Sequence, residues 1–114
     1  MIYENIIVDL REGIAQITLN RPQVLNALNG PLLQELETAL KDIEGQDEIG
    51  VLILTGAGRA FCAGMDLHAL AGWVQGGETD PLLLVARVIE RLRELKVPVI
   101  AAVNGPAITG GLEL

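Results

Sequence analysis

The sequence predicts an α/β fold in which parallel strands are joined by helical crossovers, and three observations carry that prediction. Two β-type runs near the N-terminus are followed by alternating helical and strand patterns, in the order strand-strand-helix-strand-helix-strand. Val51-Leu52-Ile53-Leu54-Thr55 is continuously apolar and β-branched, the pattern of a strand buried on both faces as in a parallel sheet. Two leucine-rich segments instead repeat their apolar residues at helical spacing.

Each element has its own signal. Ile6 to Leu10 and Ile14 to Leu19 flank Arg11-Glu12-Gly13, whose glycine can take the positive φ of a hairpin turn. Asn20-Arg21-Pro22 ends the second strand, because proline has no ladder donor and forces its predecessor to be extended. Pro31 suits a first helical position, and Leu32, Leu33, Leu36, Leu40 and Ile43 form one apolar stripe, so a helix is expected to run to about Gly45. Gly56-Ala57-Gly58 closes the strand that starts at Val51. Asp80-Pro81 supplies a cap and first position for a second helix, with Leu83 or Leu84, Val88, Leu92 and Leu95 as its buried stripe. A buried strand from Val97 to Val103 is expected next. The glycine-rich segment from Ala69 to Thr79 has no sustained period and reads as a mobile loop. Gly110-Gly111-Leu112-Glu113-Leu114 resembles the opening of a third helix, and one turn is too short to stand alone, so the chain reads as part of something longer.

Composition narrows the function classes. A chain of 114 residues, 50% of them hydrophobic and 20% charged, fits one small domain at most and should fold around a core. Its formal charge of −7 argues against broad contact with nucleic acid or anionic lipid, since no basic patch is available to neutralise phosphates. One cysteine, Cys62, and one histidine, His68, leave no ligand set for a metal and no internal disulfide, which points to a reducing compartment. No apolar run approaches the ~20 residues of a membrane helix, and the N-terminus has no signal-peptide pattern, so a cytoplasmic protein is expected.

Two loops carry the chemistry, and both follow apolar strands, where open parallel sheets place their ligands. One runs from Thr55 to Leu67, the other from Val103 to Leu114. Their small residues let a ligand approach the backbone. If a helix starts at each loop, its first N–H groups are unpaired and lie at the positive end of the dipole, so two converging loops would form an oxyanion hole. The alternative is a pair of tight strand-to-helix turns. Neither loop has the Gly-Lys-Ser/Thr ending of a phosphate-binding loop, and Phe61 stands where a dinucleotide fingerprint needs its third glycine.

At these residues the chain resembles the enoyl-CoA hydratase/isomerase family, or crotonase superfamily. The markers stand in order as Asn20-Arg21-Pro22 with Leu25-Asn26-Ala27-Leu28, then Leu54-Thr55-Gly56, then Phe61 to Leu67, then Val97 to Gly105, then Gly110 to Leu114. The resemblance covers the whole chain and implies that residues 1–114 are the N-terminal part of a crotonase-like (ClpP/crotonase) domain of repeated ββα units with a parallel buried sheet, incomplete at the C-terminus. It implies that the peptide N–H groups of Met65 and Gly110 form an oxyanion hole for the thioester carbonyl of an acyl-CoA. Glu113 corresponds to the first of two catalytic glutamates in the hydratases, and without the family it would read as an acidic residue in a helix's first turn. Two carboxylates are needed because hydration requires one group to deprotonate water and another to deliver a proton to the α-carbon. The second would lie beyond Leu114.

The resemblance also assigns the coenzyme A path to the Ala63 and Leu67 carbonyls with the Leu25-Asn26-Ala27 segment, and places His68 near the phosphates or solvated in its loop. Arg21 and Arg59 are further candidates there, or exposed turn residues. No separate cofactor or metal is implied, since coenzyme A arrives as part of the substrate. A homo-oligomer, trimer or hexamer, is implied for the full-length protein. Cys62 reads as a small buried hydrophobe and Asp66 as a helix cap. Trp73 suits an acyl-pocket wall, an interface or the core. Thr109 departs from the glycine usual before Gly110 in this family, so either it caps the helix or the loop is reshaped. The expected activity is hydration of a 2-trans-enoyl-CoA through a stabilised enolate. The alternatives are an enoyl-CoA isomerase or related acyl-CoA enzyme, and a noncatalytic binding or interaction fragment.

Overall fold

The computed structural model describes residues 3–62, 64 and 81–103. Strands β1 (Ile6–Arg11) and β2 (Ile14–Leu19) form an antiparallel hairpin with Arg11 opposite Ile14. Its turn is the pair Glu12 and Gly13, with φ of 50° and 83°. Two successive positive φ values give the twist that suits a two-residue hairpin, so the glycine and its acidic neighbour share the strained geometry.

Helix α1 (Gly30–Glu44) starts where Asn29 Oδ1 accepts a 3.0 Å hydrogen bond from Leu32 N–H, with Pro31 in its first turn. Its buried face is Leu32, Leu33, Leu36, Ala39, Leu40 and Ile43, which includes every residue of the expected stripe. Strand β3 (Val51–Gly56) then pairs parallel to β2. Helix α2 (Pro81–Glu94) follows, and of the two leucines considered for its stripe Leu84 is buried while Leu83 is half exposed. Strand β4 (Val99–Ala101) pairs parallel to β3 and is shorter than the predicted Val97 to Val103. Pro98 explains the late start: it has no N–H to give, and only its carbonyl joins β3, accepting from Leu52 N–H at 3.0 Å.

The sheet order is therefore β1-β2-β3-β4, a hairpin extended by two parallel crossovers. The α1 stripe and Leu84, Val85 and Val88 of α2 are buried in one cluster with Ala15, Ile17, Leu19, Leu52 and Leu54, while Leu92 and, past the helix end, Leu95 pack against it only partly buried. Because side chains alternate across a strand, the opposite face carries Ile7, Ile14, Val51, Ile53 and Ile100. That face is only partly covered: Val51 and Ile53 are half-buried, whereas Ile100 is 53% exposed and Ile14 42%. The continuous apolar run of β3 is thus buried on one side and half-buried on the other. Ion pairs Arg87–Glu37 at 2.7 Å and Arg91–Glu44 at 3.5 Å tie α2 to α1 at the surface. The expected loop from Ala69 to Thr79, with Trp73, and the expected third helix at Gly110 lie outside the described residues.

Candidate functional site

The parallel strands fix where their exits lie. Leu19 pairs with Gly56, and Leu54 with Ala101, so the chain leaves β2, β3 and β4 at one edge of the sheet. Just past β4, Ala102 N–H donates to Leu54 O and the Thr55 hydroxyl donates to Ala102 O, each at 2.8 Å. The two loops singled out in the sequence therefore start side by side, at the carboxyl ends of neighbouring strands.

The connection after β2 turns back onto the connection after β3. A short 3-10 turn, Pro22–Val24, leads into Leu25 and Asn26, both left-handed with φ of 55° and 58°. Asparagine tolerates this conformation far better than leucine, and each such residue outside glycine stores strain on the order of 1–3 kcal/mol. Backbone bonds hold the geometry: Leu25 N–H to Pro22 O at 3.2 Å, Asn26 N–H to Arg21 O at 2.9 Å, and Ala27 N–H to Val24 O at 3.1 Å.

This turn drives the Asn26 side chain inward until it is fully buried, the one buried polar residue among the described residues. Its Oδ1 accepts from Arg21 N–H at 2.7 Å, and its Nδ2 donates to both Ala57 O and Ala60 O at 2.9 Å. Three of the four hydrogen bonds an amide can make are thereby formed, and the two connections are joined across more than thirty residues of sequence. Gly56 lets them approach: a Cβ there would lie 2.5 Å from Phe61 O, 2.6 Å from Ala60 O and 2.8 Å from Asn26 Nδ2. One step on, Leu28 N–H donates to Gly64 O at 2.7 Å, with Gly64 at φ 98°.

Phe61 and Cys62 close the core beneath this junction. Burial pushes the Cys62 thiol up, partly opposed by a hydrogen bond from the Gly64 backbone. A buried thiol held protonated is no nucleophile, in line with the packing role expected from the sequence. Arg21 places its guanidinium on Ala27 O, while Arg59 is exposed. Among the described residues no group of three or more His, Cys, Asp or Glu is placed to hold a metal ion, and no helix is long and apolar enough to cross a membrane.

Of the residues proposed from the sequence, Leu25 and Ala27 lie half-buried in this junction. Met65, Gly110, Glu113, Ala63, Leu67 and His68 lie outside the described residues, as do Asp66 and Thr109. Asn26 is the residue whose work sequence reasoning missed, having placed it only within a segment lining the coenzyme A path. The available signal was a lone amide between apolar Leu25 and Ala27-Leu28, of the residue type that enters left-handed turns readily.

Residues 9–114 match the family model described as enoyl-CoA hydratase/isomerase. The chain is 44% identical over 117 residues to the probable peroxisomal enoyl-CoA hydratase 1 of Arabidopsis thaliana, covering 97% of this chain and 42% of that protein. It is 41% identical over 115 residues to the 1,2-epoxyphenylacetyl-CoA isomerase of Escherichia coli, covering 97% of this chain and 44% of that one. The crystal structure of an enoyl-CoA hydratase from Bacillus anthracis superposes with a TM-score of 0.87 at 39% identity, over 96% of this chain and 43% of that chain. The chain thus spans less than half the length of these relatives.

Proposed function

The chain belongs to the enoyl-CoA hydratase/isomerase family, and on that premise we propose that the full-length protein adds water to a 2-trans-enoyl-CoA thioester through an enolate held in an oxyanion hole. The observation that carries the reading is the carboxyl edge, where the exits of β3 and β4 start side by side and share the Thr55 to Ala102 hydrogen bond. Backbone N–H groups from two adjacent loops are the donors a thioester oxyanion needs, and one such donor is typically worth ~2.7–4 kcal/mol in the transition state.

In this reading Met65 and Gly110 donate their N–H groups to the carbonyl oxygen. Glu113 orients and deprotonates the water, and a second carboxylate beyond Leu114 supplies the α-proton. Leu25, Ala27, Ala63 and Leu67 line the coenzyme A path through their backbones, with His68 near its phosphates. Coenzyme A enters and leaves with the substrate, and the reaction calls for no metal. Residues 1–114 are the N-terminal part of a crotonase-like domain, a reading supported by the partly exposed sheet face with Ile14 and Ile100 and by relatives more than twice as long. The same proposal takes the full-length protein as a cytoplasmic homo-oligomer, trimer or hexamer.

A second reading, isomerisation of an enoyl-CoA, is favoured by the family itself, whose description pairs hydratases with isomerases. The two share the enolate and differ in what delivers the proton. The test is consumption of crotonyl-CoA by the full-length protein, followed through loss of the conjugated thioester absorbance. Glu113→Gln should cut kcat by about 10²-fold or more with little change in thioester affinity. Unchanged kcat removes Glu113 from the mechanism, and a full-length protein that neither binds nor turns over any acyl-CoA removes the enzymatic reading.

A further inference from the structure

We propose that Asn26 is a positioning residue for the reaction, acting through the Leu28 N–H on the peptide group that carries the candidate oxyanion donor. The inference rests on the reading of Met65 N–H as that donor and extends it to residues that never touch substrate. The Gly64 carbonyl and the Met65 N–H belong to one peptide group, and a peptide group is planar. Whatever holds the carbonyl end therefore sets the direction of the N–H end. Leu28 N–H holds it, at 2.7 Å.

Leu28 is in turn held by the turn that contains Asn26. Two residues upstream of Leu28, the Asn26 amide bonds to Ala57 O and Ala60 O on the very segment that leads to Gly64, and to Arg21 N–H at the start of its own turn. The junction is thus fastened at two points: Asn26 grips the near end of the second connection, and Leu28 grips Gly64 further along. Gly56 removes the slack between them, since any side chain there would strike two carbonyl oxygens and the Asn26 amide. An oxyanion donor must be aimed before charge develops, and preorganisation of this kind is what makes a backbone N–H effective. The hydrogen bond on the carbonyl side also polarises the peptide, which strengthens its N–H as a donor. A buried amide with two directional donors is a costly way to hold a loop if position is unimportant.

The test uses the full-length protein. Asn26→Asp keeps the size and the acceptor for Arg21 N–H but leaves at most one donor, the O–H of a protonated carboxyl, for two carbonyls. The expected result is a folded protein whose kcat falls about 10-fold or more while its acyl-CoA Kd stays within about threefold, because misaiming a donor is felt in the transition state. The absorbance red shift of a bound conjugated dienoyl-CoA, which reports polarisation of the thioester carbonyl, should shrink in parallel. A folded Asn26→Asp protein with wild-type kcat and red shift overturns the proposal. If that variant does not fold, hydrogen exchange of the Leu28 amide in the wild-type protein decides. Protection greater with a bound acyl-CoA thioester than with the thioether analogue lacking the carbonyl supports coupling to the oxyanion, and equal protection overturns it. Failure of the functional reading itself looks different: the wild-type protein then shows neither turnover nor red shift.

Discussion

The helical layer and the carboxyl-edge junction are held together by opposite kinds of force. Between α1, α2 and the sheet, cohesion comes from aliphatic side chains such as Leu32, Leu36, Leu40, Leu84 and Val88, all buried in one cluster. Such burial is non-directional, contributes on the order of 1.5–3 kcal/mol per fully buried side chain, and tolerates small shifts of one element over another. At the junction, one buried amide, two left-handed residues and a glycine without room for a Cβ fix the path of two connections. Hydrogen bonds there are few, but each is directional and none can be exchanged for a contact of similar size. Stability and geometry are therefore separable in this fold: the layer keeps the chain folded, and the junction decides where its loops point.

Leu36→Ala strikes the layer hardest. Leu36 is 1% exposed, so truncation removes apolar burial and leaves a cavity, and a loss of about 2–5 kcal/mol is expected in chemical denaturation. Its kcat per folded molecule in the full-length protein should be unchanged. A drop in kcat at constant folded fraction would erase the distinction between the two regions.

Gly56→Ala reaches the junction from the end of β3, at the Asn26 amide itself. The new Cβ must displace the carbonyls of Phe61 and Ala60, and overpacking of this kind costs about 1–3 kcal/mol. Here kcat should fall more than stability does, the reverse of Leu36→Ala. Equal effects of the two variants on stability and kcat would show that the junction is only another part of the core.

Arg87→Ala is the smallest perturbation. Its guanidinium pairs with Glu37 in two-pronged geometry, Nη2 to Oε1 at 2.7 Å and Nε to Oε2 at 3.1 Å, yet its side chain is 48% exposed. Solvent screening limits such pairs to about 0–1 kcal/mol, so the denaturation midpoint should barely move and should move less at high salt. A large effect would give the helix surface a directional role that the account reserves for the junction.

The same division decides what could be read from the sequence. The layer was legible because burial imposes a period: the α1 stripe, the hairpin around Gly13 and the parallel crossovers all follow from spacing and turn chemistry. Leu83 and Leu84 could not be separated, since neighbouring positions on a helix differ by one step of rotation and the partner layer decides which points inward. The start of β4 was read too early because Val97 is apolar, whereas Pro98 has only its carbonyl to offer the ladder. The apolar run of β3 announces that both faces are suited to burial without saying what covers each: Leu52 and Leu54 are buried, Val51 and Ile53 half-buried. At the candidate site, spacing found the two loops and register now puts their starting points together. Asn26 was not legible as a keystone, because its partners at Ala57 and Ala60 are 31 and 34 residues away and an amide in a connection looks the same in sequence whether it faces water or carbonyls.

On the proposed function, the edge shared by β3 and β4 receives a thioester carbonyl as an oxyanion. The most direct measurement is the isotope-edited infrared stretch of a labelled thioester carbonyl in an unreactive acyl-CoA bound to the full-length wild-type protein. The stretch is expected at lower frequency than in water, because donors aimed at the oxygen weaken the C=O bond. A bound acyl-CoA whose carbonyl stretch matches that of the free thioester in water would contradict it.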